Sequence, residues 1–138
     1  MKRVVATSVS LLIFSVGDVA FAMEAEQAQR TAPYTGEQAD DLYYFHEEFG
    51  FGDADVAYRT PVIVTIRTKN QLPYRIIIDS MEDIAEFSLN NIRPFPPLLE
   101  PFALRNGMWG ILHRNGKMVI VVDFERLFQK KLEQNQLI

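Results

Sequence analysis

The chain has 138 residues and a formal charge of −4, with 48% hydrophobic and 23% charged residues. That length and balance suit one folded domain with a real core and exclude a disordered segment. The acidic total excludes a broad basic face for nucleic acid, and the lack of cysteine excludes disulfides, thiolate metal sites and a cysteine nucleophile.

The amino terminus reads in two ways. Lys2-Arg3, the apolar run Val4 to Val16 and Ala20-Phe21-Ala22 imitate a cleavable leader over residues 1–22. However, Thr7, Ser8, Ser10 and Ser15 interrupt the run, which is too short to span a bilayer, so no direct membrane insertion is expected. Gly17-Asp18 divides the stretch into two alternating segments. Leu12, Phe14 and Val16 oppose Leu11 and Ile13; then Val19, Phe21 and Met23 oppose Ala20 and Ala22. A two-residue period with a turn in its middle favours a mature β-hairpin over a leader.

Glu24 to Gln29 has high helix propensity and predicts one or two helical turns, broken by Thr31-Ala-Pro33 and Thr35-Gly36. From Asp40 to Gly52, Leu42, Phe45 and Phe49 fall at helical spacing. Asp40 or Asp41 can cap that helix and Gly50 can stop it. Asp53 to Thr60 is a polar connection. Pro61 opens a strand to Arg67 with Val62, Val64 and Ile66 inward; Lys69-Asn70-Gln71 turns the chain into a second strand, Tyr74 to Asp79. Glu82 to Phe87 is weakly helical by propensity, and Ser88 can cap a short turn from Leu89 to Ile92. Pro94 to Pro101 should be extended, because each proline removes a donor and biases its predecessor away from α. Such a stretch is either a ligand for an aromatic groove or, more commonly, a rigid connection.

Asn115-Gly116 is the preferred pair for a type I′ hairpin, and it sits between the apolar runs Met108 to His113 and Met118 to Val122. Met118, Ile120 and Val122 keep a strand period, whereas Phe124, Leu127, Phe128 and Leu132 take a helical one. Asp123, at the switch, can accept the free N–H groups of the first helical turn. Short alternating strands and few helices indicate a mainly β fold of the small-barrel kind.

No catalytic constellation emerges. His46-Glu47-Glu48 with Asp40, Asp41, Asp53 and Asp55 is the one dense set of possible ligands. It lacks the spacing of a zinc helix or a calcium loop, and reads as a solvated acidic face. His113 has no partner for a nucleophilic triad, and Asp79 and Asp123 are accounted for by turns and caps. No metal or other cofactor is expected. Among the large aromatics Tyr43, Tyr44, Phe49, Phe51 and Trp109, core packing is the commoner fate. With Leu42, Phe45 and Phe49 turned inward, Tyr43 and Tyr44 flank that face and are available to a partner, as an exposed Trp109 would be.

Three blocks, in order, resemble the CheW-like family of chemotaxis coupling proteins. They are the opening hairpin Leu11 to Ala22; Pro61 to Ile66 through Tyr74–Asp79 to Asn91-Ile-Arg-Pro-Phe-Pro96; and Gly110 to Phe128 with its Asn-Gly turn, Val-Asp strand end and final helix. The resemblance implies a mainly β, CheW-like fold of two small SH3-like barrels on a shared core with a C-terminal helix and no active site. It assigns residues 1–60 to a first subdomain and 61–138 to the second barrel and helix. It also implies a cytoplasmic adaptor that binds a chemoreceptor and/or a CheA-like histidine kinase, and it turns Glu82 to Phe87 into an irregular strand. The chain departs from the family where a strand ending in Asn-Leu-Arg-Gly is normal: only Arg30 to Asp40 stands before Asp41, too short and too polar to supply it. The usual Val-x-Glu is replaced by Ala28-Gln29-Arg30, so Arg30 reverses a charge. The first barrel should be incomplete, with an exposed strand edge open to a second copy or a partner strand. The alternative from another class is a secreted or periplasmic β-rich binding protein whose leader is residues 1–22.

Overall fold

The computed structural model describes residues 7–50 and 56–136. Nine strands and three α-helices are described: β1 (Ser8–Val16), β2 (Val19–Glu24), β3 (Ala28–Pro33), β4 (Leu42–Tyr44), α1 (Phe45–Glu48), β5 (Pro61–Ile66), β6 (Arg75–Asp79), β7 (Asp83–Ser88), α2 (Glu100–Arg105), β8 (Met108–Arg114), β9 (Lys117–Val122) and α3 (Phe124–Gln136). They form a 5-stranded sheet in the order β7-β1-β2-β9-β8 and a 4-stranded sheet in the order β3-β5-β6-β4.

The opening hairpin is present and central. Gly17 and Asp18 both have positive φ (57° and 68°), as a two-residue type I′ turn requires, and they pair Val16 with Val19. The double alternation of β1 has a physical reason: both of its faces are covered. Leu12, Phe14 and Val16 enter a core shared with the four-stranded sheet and α3, while Leu11 and Ile13 enter a second cluster with Ala22, Leu112, Val119 and Val121. Cleavage after residue 22 would therefore remove β1 from the middle of the sheet. The basic start, Lys2-Arg3, lies outside the described residues.

The five-stranded sheet closes on itself. Arg93, in the segment that follows β7, exchanges two backbone hydrogen bonds of 2.8 Å with Ile111 of β8, and the Arg114 guanidinium of β8 reaches Asp83 of β7 at 2.8 Å, so β7 and its continuation are tied to β8 at two points. Gly110 permits this approach, because a Cβ there would lie 2.5 Å from Ile92 Cγ2 and 3.3 Å from the Arg93 carbonyl.

The five-stranded sheet draws its strands from both sides of residue 60, and so does the four-stranded one. The five-stranded sheet takes strands from 8–24, 83–88 and 108–122, and the four-stranded sheet takes them from 28–79. β2 pairs in parallel with β9, from Ala20↔Val119 to Met23↔Val122, which draws the first hairpin into the sheet of the last.

Several local expectations are corrected. Glu24 to Gln29 is one 3-10 turn, Ala25–Gln27, followed by β3, whose backbone is fixed by β5 and whose helix propensity is overridden. Leu42–Tyr44 is strand because it pairs in parallel with β6, and only Phe45–Glu48 is helical. The extended Pro94 to Pro101 ends early: Leu99 N–H and Glu100 N–H turn back to the Pro96 carbonyl, and α2 begins at Glu100. Pro101 is accommodated in the first turn, where its missing N–H costs nothing. Glu82 to Phe87 is mostly β7, the irregular strand of the family resemblance and not the helix of propensity. Ser88 caps its turn through Asn90 N–H, and the 115–116 hairpin and the capped α3 form as expected.

Candidate functional site

The four-stranded sheet is open, and its two edges are managed by side chains. β3 and β4 are the outer strands, and where a further strand would close the sheet the chain instead sets Tyr34 against Tyr44, with ring centroids 6.0 Å apart and hydroxyls 3.4 Å apart. Tyr58 adds a third ring, 5.3 Å from Tyr44, and its hydroxyl lies 2.9 Å from His46 Nδ1. Burial pushes the Tyr58 phenol up to about 12, so the ring stays neutral at any physiological pH.

The edge of β3 is poorly suited to accept a strand. Tyr34 N–H bonds to the Pro61 carbonyl, so by alternation Arg30 and Ala32 direct their amides to β5 while Thr31 and Pro33 face outward. Pro33 has no N–H to offer there, which is how natural edges are blunted. β4 is only 3 residues long. The expected exposed edge exists, but a ladder along it is interrupted.

The strand period of 42–45 explains which aromatic goes where. Tyr43 and Phe45 turn to the shared core and Tyr44 turns away; Leu42 is half-buried outside the core cluster. Tyr43 is thus a packing residue, 5.7 Å from the Tyr74 ring, with Lys131 Nζ 4.0 Å over its face. Lys131 also pairs with Glu48 at 3.3 Å, and Glu48 accepts the Tyr74 hydroxyl at 2.8 Å. The Glu48 side chain is 10% exposed, so that part of the acidic stretch is an internal latch between α1, Tyr74 just before β6, and α3, not a solvated face. Tyr74 is fully buried, and burial, with the nearby Glu48 carboxylate, pushes its phenol far above the ordinary range. Asp41 is held below the usual carboxylate range by a bidentate bond to Arg75, 2.8 and 3.0 Å. Phe51, Asp53 and Asp55 lie outside the described residues. Among the described residues no group of three or more His, Asp or Glu side chains is placed to hold a metal.

The four residues singled out from sequence are not brought together. Arg30 is exposed on β3, Tyr43 and Tyr44 stand side by side on β4 but face opposite ways, and Trp109 lies in the other sheet, half-buried against the cluster inside it. A group of exposed apolar side chains falls elsewhere: Leu98 is 95% exposed, Phe102 59% and Leu99 55%, over a stretch anchored through the buried Ala103. Phe102 and Arg105 share the outer face of α2 by helical spacing. Sequence reading missed this patch because the prolines obscured the helix; Pro101 in a first turn was the available signal. Tyr34 and Tyr58 were missed because they lie far from Tyr44 along the chain.

Two interleaved small sheets on a common core, one of them a half-barrel, with a C-terminal helix, make a CheW-like fold. The crystal structure of the scaffolding protein TtCheW from Thermoanaerobacter tengcongensis is similar over 93% of this chain and 92% of that one, with a TM-score of 0.68 and 15% identity. At that identity the likeness is one of fold. No protein-family model matches the sequence, and no curated protein matches it.

Proposed function

We propose that this chain is a non-enzymatic adaptor of a bacterial chemotaxis-like signalling system, working in the cytoplasm by holding a chemoreceptor and/or a CheA-like histidine kinase through protein contacts. The observation that carries this reading is the likeness to a CheW scaffolding protein over 93% of this chain and 92% of that one. Two surface features support contact as the mode of action. Leu98, Leu99 and Phe102 are exposed apolar side chains within five residues of one another. The seam of Tyr34 and Tyr44 presents half-buried aromatics of the kind that anchor interfaces. The mechanism is colocalisation, which raises the local concentration of one partner near another.

The shortened first sheet points to a divergent adaptor that engages one of the usual partners. Co-purification of the full chain with the receptor cytoplasmic domain and the kinase of its own host tests this. Capture of one partner is the expected result. Ordinary three-way assembly would overturn the single-partner reading, and binding to neither would overturn the adaptor reading. The reading as a secreted binding protein with a leader over 1–22 is disfavoured because Leu11, Phe14 and Phe21 are fully buried core residues.

A further inference from the structure

Where the chain passes from the five-stranded sheet to the four-stranded one, a single residue is bonded both to the segment after β5 and to the start of α3. Gln27, the last residue of the 3-10 turn between β2 and β3, gives its backbone carbonyl to Arg67 N–H at 2.8 Å, just past the end of β5. Its side-chain oxygen accepts Phe124 N–H at 3.1 Å, and its side-chain nitrogen donates to Asp123 Oδ1 at 2.8 Å. Only one orientation of the amide serves both an N–H and a carboxylate, so the two bonds fix it.

These bonds complete the start of α3. Asp123 N–H bonds to the Gly107 carbonyl at 2.6 Å, and the N–H groups of Glu125 and Arg126 bond to Asp123 Oδ1 at 3.0 and 3.3 Å. Phe124 N–H is the donor left over from the helix's own caps, and it belongs to a fully buried residue that water does not reach. Gln27 supplies its acceptor from the other half of the molecule. Two nearby contacts run the same way: Arg67 Nε to the Glu26 carbonyl at 3.1 Å, and Lys69 N–H to Glu125 at 3.4 Å.

We infer that Gln27 is the joint that fixes the angle between the two sheets, a positioning residue without which the sheets stay together but no longer hold one orientation. The reason is the difference between the two kinds of force. The shared core of Phe14, Phe21, Phe45, Val64, Ile76 and Phe124 holds the sheets in contact, but apolar contact is non-directional. Gln27 adds directional bonds on two sides: its backbone carbonyl is held by Arg67 N–H just past β5, and its side-chain amide is held at the start of α3. The joint is a property of the fold and holds whatever the chain binds.

The chain has no cysteine, so two spin labels can be attached at Thr31→Cys on β3 and Lys117→Cys on β9, one per sheet. Electron–electron distance measurement on the full chain should give one narrow distribution. Gln27→Ala should broaden or shift it and speed hydrogen exchange at the Phe124 amide about tenfold, the scale expected when a buried donor loses its partner. Gln27→Asn, one methylene shorter, should do the same and serves if the alanine variant does not fold. Asp41→Asn, which removes the bidentate bond to Arg75 on the β4–β6 side of the four-stranded sheet, is the control and should leave the distribution narrow. A distribution unchanged in the folded Gln27 variant, or broadened equally by Asp41→Asn, overturns the assignment.

Discussion

The two sheets solve the same problem by different means. The five-stranded sheet closes with backbone: Arg93, in the segment that continues from β7, bridges to Ile111 of β8, and Gly110 makes room for it. The four-stranded sheet stays open, and its gap is spanned by side chains, with Tyr34 and Tyr44 above, Pro33 blunting one edge and the Glu48–Lys131 latch behind. Backbone closure is indifferent to side-chain identity except where space is short. Side-chain closure depends on each residue, so the open sheet is where sequence change alters surface without dismantling the fold.

That contrast can be tested by substitution. The largest loss should follow Phe45→Ala, because that buried ring packs against Phe14 and Phe21 of one sheet and against Phe49 and Phe124, at centroid distances of 4.6 to 5.9 Å. About 4 kcal/mol is expected in urea unfolding; a loss under half of that would mean the halves do not share one core. Gly110→Ala should cost about 2 kcal/mol through the clash with Ile92, and should raise hydrogen exchange at Ile111 before exchange in β5 and β6. If β5 exchanges first, closure by backbone is not what limits the five-stranded sheet.

Alkaline pH should weaken the open sheet selectively. Tyr58 and Tyr74 ionise near 10 when unfolded and are held higher when folded. Between those values the unfolded chain binds fewer protons, so stability present below pH 10 falls as pH rises through about 12. Tyrosinate absorbance followed with circular dichroism should show these two rings ionising at higher pH than a free phenol, with loss of strand signal over the same range. Asp41→Asn should cost less than ~1 kcal/mol despite its bidentate bond, since both partners are partly exposed. Pro33→Val should barely change the melting temperature, yet it restores an outward N–H on β3. Concentration-dependent association in light scattering is the expected result, and a strictly monomeric variant would show that the proline does not guard the edge.

The sequence was most legible where local chemistry and tertiary context agree. Asn115-Gly116, Asp123 and the two-faced alternation of β1 each state their own geometry, and the structure follows them. It was least legible where pairing decides. Residues 28–33 are almost wholly exposed on both faces, so no hydrophobic period marks them as strand; β5 alone makes them one. Leu42, Phe45 and Phe49 imitate a helix because two short elements, a strand and a turn of helix, abut within their spacing. Of the interaction residues, Tyr44 was placed on a surface for the wrong structural reason, Tyr43 is largely inside, and the apolar patch of α2 was hidden behind its prolines.

The parallel pairing of β2 with β9 has a consequence for biosynthesis. The first hairpin leaves the ribosome long before its neighbour in the finished sheet exists, so Phe21 and Met23 must wait for Ile120 and Val122 with one flank unsatisfied. Contacts this distant along a chain form slowly and late. Until translation ends, the nascent hairpin is an apolar ribbon that a chaperone can recognise, and a stop codon ahead of β9 would yield a product unable to complete its own centre.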